Sequence, residues 1–243
     1  MKETDVLVVG AGPAGLSCGI FTARAGLDTV LVGNDDSILR RNSHLENYLG
    51  FPAGVNSRLL LDMGLEQAER NGCDYVETGI SDVGETENGY VAQTEDGENI
   101  DCRYLVAASW SSLEYIRELD VETIDRGKEF AVTDDDGRTE ADGVYAAGRI
   151  AGNRHQALVA AGDGADVGLT VIRDSEVDFY HDWVAPEGYF TGRGREVPPG
   201  CVEIDEEERE RRERESIDVM RSYFDEVRDD EPVMHPSVDG SGG

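Results

Sequence analysis

Residues 5–34 read DVLVVGAGPAGLSCGIFTARAGLDTVLVGN, and this stretch decides the fold. Val6 to Val9 are aliphatic and mostly β-branched, which suits a buried parallel strand. The run Gly10-Ala11-Gly12-Pro13-Ala14-Gly15 then turns tightly into a helix expected to end near Gly26, and Thr29 to Val32 form a second strand. The whole is one βαβ unit with G-x-G-x-x-G at its turn, the setting in which that motif carries meaning. Gly10 permits the turn, Gly12 lets the backbone approach a pyrophosphate, and Gly15 lets helix and strand pack closely. Pro13 falls where the first helical turn has no use for an N–H, and the free N–H groups from Ala14 onward attract an anion. Gly10, Gly12, Pro13, Ala14 and Gly15 are therefore the expected pyrophosphate residues of a dinucleotide site.

The ribose contact is less plainly written. An acid about 20 residues beyond the glycines usually takes the ribose hydroxyl, but here the second strand ends in Gly33-Asn34, with Asp35 and Asp36 just after it. Asn34 or Asp35 is placed to take the ribose; both also read as ordinary polar loop residues.

With 52 acids against 22 Lys and Arg, the formal charge of -30 leaves nucleic acid and anionic membranes without an electrostatic basis as partners. Lys2 and Lys128 are the only lysines. Acids spread along the whole chain with almost no lysine resemble the proteins of halophilic microbes, in which salt screens self-repulsion. The N-terminal apolar run is broken by glycines and followed by a helix containing Arg24, so neither a signal peptide nor a membrane span is expected. A soluble, cytoplasmic protein is the expectation. Cys18, Cys73, Cys102 and Cys201 form no C-x-x-C and no metal-type pairing with histidine, so each reads as a small hydrophobe before a nucleophile. No metal site is expected.

Further along, Ser37 to Pro52 reads as an irregular loop and Ser57 to Asn71 as a helix capped by Ser57 and stopped by Asn71-Gly72. Tyr75 to Val83, Gly89 to Glu95 and Ile100 to Ala107 alternate apolar and polar residues and predict a three-stranded antiparallel meander, the last strand turning fully apolar where it rejoins the parallel sheet. Ser111 to Leu119 reads as a short helix or turn, and Glu129 to Thr133 and Val144 to Ala147 as strands. A helix from about Gln156 to Arg173 then has Ala157, Val159, Ala160, Ala165, Val167, Leu169 and Val171 as its buried positions. The expected architecture is α/β: residues 1–175 as a Rossmann-like domain of parallel sheet, helices and meander. Residues 176–228 follow as an aromatic, Gly- and Pro-rich wrapping loop plus an acidic helical extension packed on that domain, and residues 229–243 as a disordered tail.

With these motifs placed, the sequence resembles the FAD-binding domain of the thioredoxin reductase family of pyridine nucleotide–disulfide oxidoreductases. Three blocks carry the likeness in order: GAGPAG with its helix, HLENYLGFPAGVNSRLLLDMGLEQAERNG, and TEADGVYAAGRIAGNRHQALVAAGDGADVG. The resemblance implies FAD as cofactor. It places Asn47 of the E-N-x-x-G-F-P-like segment beside the flavin, and Gln156 and Ala157 at its pyrimidine end, where a helix N-terminus favours negative charge. Gly148 keeps the family's glycine, but Arg149 stands where an Asp holds the ribityl chain and His155 where an Arg precedes the Gln-Ala step. Arg149 is expected to reach a phosphate oxygen or an acidic loop, or simply to point to solvent.

The larger departure is a deletion. Between Ala108 and Glu129 the family inserts an NADPH-binding domain with a second glycine fingerprint and the C-x-x-C that reduces thioredoxin; here residues 109–128 bridge the gap and neither feature occurs. The resemblance therefore implies an FAD-dependent oxidoreductase without its own NADPH domain or dithiol, exchanging electrons with NAD(P)H bound transiently, a small substrate or a redox partner protein. A homodimer is one assembly compatible with it, and the aromatic run Phe179 to Phe190 is a candidate lid. The sequence singles out no catalytic pair; His155 and His181 are the histidines to test. Two other readings stand beside it: a flavin-binding or degenerate structural or regulatory module, favoured by Arg149 and the missing dithiol, and a biosynthetic enzyme that uses a nucleotide as substrate.

Overall fold

The computed structural model describes residues 2–34, 37–110, 112–235 and 237–238. They fall into two compact units, one holding residues 2–175 and 232–238 and the other residues 176–231.

In the first unit, β1 (Lys2–Val9), α1 (Pro13–Arg24) and β2 (Thr29–Gly33) form the βαβ unit, with β1 and β2 parallel from Val6–Thr29 to Val9–Val32. Val6 to Val8 and Val30 to Val32 are fully buried, as strands covered on both faces require. The chain then makes a 3₁₀ turn over Ile38–Arg41 and an isolated bridge between Leu45 and Val55 before entering α2 (Ser57–Arg70). The cap of α2 is Asn56 rather than the expected Ser57: its Oδ1 accepts from the N–H groups of Arg58 at 2.9 Å and Leu59 at 3.2 Å. The Ser57 hydroxyl instead donates to the Asn42 carbonyl and ties down the preceding loop.

The expected strand over Tyr75 to Val83 is two strands. β3 (Asp74–Glu77) runs parallel to β2, whereas β4 (Ile80–Thr86) runs antiparallel to β5 (Gly89–Thr94). The break at Thr78-Gly79 is held by the Glu95 N–H donating to the Gly79 carbonyl at 2.9 Å. The three-stranded meander is therefore β4, β5 and β6 (Asn99–Ala107). A hairpin of β7 (Thr123–Asp125) and β8 (Glu129–Ala131) follows, of which only β8 is foreseen from sequence. β9 (Val144–Ala146) closes the sheet, whose order is β3-β2-β1-β6-β5-β4 with β9 beside β6. The N-terminal half of β6 pairs with β5 and its C-terminal half with β9, both halves lying along β1. One strand thus joins meander to parallel sheet.

α3 (Ala157–Asp174) packs on α1 through small residues. Its buried seam includes Ala161, Gly164, Val167, Gly168 and Val171, while Val159 and Leu169, expected inside, are 41% and 39% exposed. A Cβ on Gly164 would lie 2.0 Å from the Ala14 carbonyl oxygen, so the helices approach at backbone distance and larger side chains are turned outward. Among the described residues no helix is long and apolar enough to cross a membrane. Val233, in the stretch expected to lack order, donates its N–H to the Arg40 carbonyl at 3.1 Å.

Where a wrapping loop is expected, the second unit has a small parallel ladder, β10 (Trp183–Pro186) against β11 (Cys201–Ile204). Glu203 on β11 holds the intervening turn: its carboxylate accepts from the N–H groups of Gly188, Phe190 and Thr191 and from the Thr191 hydroxyl. Trp183, Tyr189 and Phe190 pack edge to face within this unit, and Arg193 lies over Tyr189 at 4.4 Å. α4 (Glu206–Phe224) follows, capped by Asp205, whose side chain accepts from the Glu208 N–H at 2.8 Å. It is laced by i,i+3 and i,i+4 pairs such as Arg209–Glu213 and Arg214–Glu210.

Candidate cofactor site

A cavity of about 550 Å³ opens in the first unit beyond the carboxyl ends of β1 and β2. In an open α/β sheet this is where ligands settle. Gly10, Gly12, Pro13, Ala14, Asn34, Arg149, Gln156 and Ala157 line it. The glycine motif and its spacing point to the first five, and the family resemblance to Arg149, Gln156 and Ala157.

The backbone explains the glycine cradle. Gly10 sits at φ +119°, and a Cβ there would lie 2.6 Å from the Ala108 carbonyl oxygen; a Cβ on Gly15 would lie 1.8 Å from the Gly10 oxygen. Both are needed to build the turn. Gly12 differs, since a Cβ there would meet only the Ser37 hydroxyl, at 3.6 Å, and would project into the space of the cavity it lines. The first turn of α1 carries no acidic residue, so its N–H groups and dipole are uncompensated and face an anion site. These features fit a pyrophosphate-bearing ligand.

The remaining expected residues fall into three groups. Gly15 and Gly148 do not line the cavity but support it: Gly148 is buried at φ +76°, and a Cβ there would lie 2.8 Å from that of Ala14. Asn47 stands outside the lining residues, and its amide donates to the Gln156 side-chain oxygen at 2.8 Å. Asp35 lies outside the described residues.

Arg149 is engaged locally, its guanidinium 4.8 Å over the Phe130 ring and donating to the Asn153 carbonyl at 3.1 Å. Asp163 on α3 accepts from the Gly148 N–H at 2.5 Å. Burial raises the Asp163 carboxyl above its ordinary range, opposed by the hydrogen bonds from Gly148 and Asn153. The loop from Gly148 to Asn153 is thus braced from two sides.

Sequence reasoning missed much of the wall. Arg40 and Arg41 come from the loop after β2, and Trp110, Ser112 and Tyr115 from the segment after β6. Tyr115 is buried, which pushes its hydroxyl pKa up, and it shares a hydrogen bond with Ser109 at 3.1 Å. His155 packs on Trp110 with ring centroids 4.5 Å apart, and Lys128 lies 5.4 Å over the same indole. Burial, then the charges of Arg149 and Lys128, hold the His155 pKa below its ordinary value, so the ring is neutral at pH 7. The chemistry available is anion binding by backbone and arginine, with aromatic faces at one end.

Comparison with known proteins agrees with this geometry. Residues 5–44 match the family described as FAD binding domain, and residues 56–164 the family described as pyridine nucleotide-disulphide oxidoreductase. The thioredoxin reductase of Aquifex aeolicus is 32% identical over 110 residues, covering 44% of this chain and 34% of that protein. The chain carries part of a thioredoxin-reductase-family FAD-binding domain.

As a thioredoxin-reductase-type domain it has FAD as its cofactor. The thioredoxin reductase of Rickettsia bellii is 40% identical over 80 residues, covering 30% of this chain and 26% of that protein. The chain spans about a third of the length of such curated relatives, 34% for that of Aquifex aeolicus and 37% for that of Rickettsia conorii. In fold, it superposes on a thioredoxin reductase from Gloeobacter violaceus with a TM-score of 0.62 at 18% identity, covering 72% of this chain and 96% of that one. An oxidoreductase from Agrobacterium tumefaciens gives 0.65 at 16% identity, with 72% and 98% covered.

Proposed function

We propose that the chain is an FAD-dependent oxidoreductase of the thioredoxin-reductase type that exchanges electrons with a donor or substrate not carried on a nicotinamide domain of its own. The observation that supports this most is the short return from β6 to β9. The Ala108 N–H donates to the Val9 carbonyl at 2.8 Å, β9 pairs directly with β6, and the β7–β8 hairpin is the only paired element described between them. No second glycine fingerprint and no C-x-x-C occur in the sequence given. Burial lifts the thiol pKa of Cys73 and Cys102 to about 12 and that of Cys18 further, so these three are not thiolates at neutral pH.

In this reading the cradle of Gly10, Gly12, Pro13 and Ala14 holds the pyrophosphate and Asn34 faces the ribose. Gln156 and Ala157, at the start of α3, stand at the pyrimidine end, where the helix N-terminus favours negative charge. Arg149 braces the Gly148–Asn153 loop through Phe130 and Asn153 and does not replace the family's ribityl-binding acid. The bound flavin supplies reversible electron transfer, and the chain's own residues bind it, orient it and limit its access to water. NAD(P)H bound in passing, a small substrate or a redox protein completes the reaction, and the acidic surface suits a salt-rich cytoplasm.

The test is to purify the protein in high salt, record its visible spectrum, and add NADH or NADPH without oxygen. Flavin absorbance that bleaches supports catalysis and rules out a purely structural module. Absence of flavin that FAD cannot restore overturns the proposal. The engaged Arg149 favours the second reading, a flavin-binding module without turnover, and in that case bound flavin stays oxidised with nucleotides and with every candidate substrate.

A further inference from the structure

We propose that Trp110 forms the wall of a second subsite at the cavity, which takes a planar anion such as an aromatic or conjugated carboxylate. This deepens the flavoprotein reading by naming a substrate class, and it rests on that reading.

The chain as a whole repels anions, with 52 acids against 22 Lys and Arg. The cavity reverses that balance. Arg40, Arg41, Arg149 and Arg154 line it against Asp62 and Glu95 among the described residues. Against a strongly negative surface, such a focus draws an anionic ligand to one place and away from others.

Trp110 in that wall has a cation of its own beside it. Lys128, one of two lysines in the chain, reaches over the Trp110 ring from the turn of the β7–β8 hairpin. His155 packs against the same ring, and Arg154 beside it also lines the cavity. The next residues of the hairpin supply Phe130, on which Arg149 lies. One hairpin therefore sets Lys128 against Trp110 and supports Arg149 from behind through the buried Phe130. Trp110 is half-buried and lines the cavity. A planar ring can stack or pack edge-on against it while its carboxylate meets Lys128 or Arg154. Neutral His155 adds one N–H donor and one acceptor. A polyanion without a ring satisfies the cations but not the indole, and a neutral ring does the reverse.

The experiment uses the FAD-loaded protein with Trp183→Phe, which leaves Trp110 as the only tryptophan, at the lowest salt that keeps it folded. Benzoate is titrated in, with benzyl alcohol and inorganic phosphate as controls, following indole fluorescence and the flavin visible band. Benzoate is expected to bind saturably, at least about tenfold tighter than either control, and Lys128→Glu or Trp110→Leu to weaken it about tenfold. Equal binding of benzoate and benzyl alcohol, an unchanged affinity in Lys128→Glu, or no saturation overturns the subsite. If the protein takes up no FAD, the functional reading fails separately, and the same titration of indole fluorescence in the unloaded protein still decides the subsite.

Discussion

The Asn47 amide and the Gln156 side-chain oxygen meet at 2.8 Å across 109 residues of sequence. The bond joins the loop before α2 to the loop before α3, and so couples two of the three blocks that identify the family. Gln156 lines the cavity; Asn47 acts on it from outside. Asn47→Ala should therefore loosen the α3 entry rather than remove a ligand contact. An exposed neutral hydrogen bond of this kind contributes roughly 1 kcal/mol, so FAD affinity should fall about fivefold with little change in melting temperature. Flavin fluorescence titration alongside thermal denaturation checks both halves.

The contact of α1 and α3 is a second place where one atom decides the outcome. Gly164→Ala puts a methyl group 2.0 Å from the Ala14 oxygen and 2.7 Å from its Cα, backbone atoms that cannot step aside. The variant should lose about 3 kcal/mol of stability, at the upper end of overpacking effects. Chemical denaturation measures it. Gly162→Ala, with open space at its Cβ, is the matched control and should be neutral or stabilising.

Glu203 gives the second unit a defined acid sensitivity. Burial opposes its charge, but the Thr191 hydroxyl and the N–H groups of Phe190, Thr191 and Gly188 outweigh that and hold its carboxyl at about 2, below its ordinary value of 4.5. A carboxylate depressed in the folded state contributes stability that is fully present above the unfolded pKa and is lost as pH falls from about 4.5 toward 2. Trp183 packs on the turn that Glu203 holds. Its fluorescence in a Trp110→Phe background should change over that window, and Glu203→Gln should remove the change.

Asp174 ends α3, where the helix dipole disfavours a carboxylate. Arg138 answers it with two hydrogen bonds, at 2.7 and 2.8 Å, and the Tyr145 hydroxyl adds a third at 2.9 Å. These bonds, that from Arg138 foremost, hold the Asp174 carboxyl below its ordinary pKa. Arg138→Met should cost about 2 kcal/mol at neutral pH, and much less once Asp174 is protonated in acid. Urea denaturation at two pH values tests the difference.

How much of this was legible depended on how local the cause was. The βαβ unit and its glycines could be read because backbone sterics dictate residue type at each turn position, with no help from distant parts of the chain. The break at Thr78-Gly79 was hidden because alternation continues through it; only the pairing of β3 with β2 and of Gly79 with Glu95 separates the strands. Asn56 and Ser57 are both competent caps, and the choice falls to Asn56 because Asn42, far back in the loop, takes the Ser57 hydroxyl. β10 and β11 carry no period, and their ladder depends on how Glu203 gathers the turn between them. The cluster about Trp110 was equally out of reach, since Trp110, Lys128 and His155 converge from three separate segments.

The most direct test of the account is an equilibrium titration of FAD into the wild-type chain and Gly12→Ala, followed by flavin fluorescence. Gly12 lines the cavity with room for a methyl group at 3.6 Å from the nearest side chain, so the substitution should leave the fold intact while filling the cofactor's place. The account predicts saturable one-site binding by the wild type and binding at least about tenfold weaker by a Gly12→Ala variant of unchanged melting temperature. Failure of the wild type to bind FAD, or equal affinity in the two proteins, would contradict it.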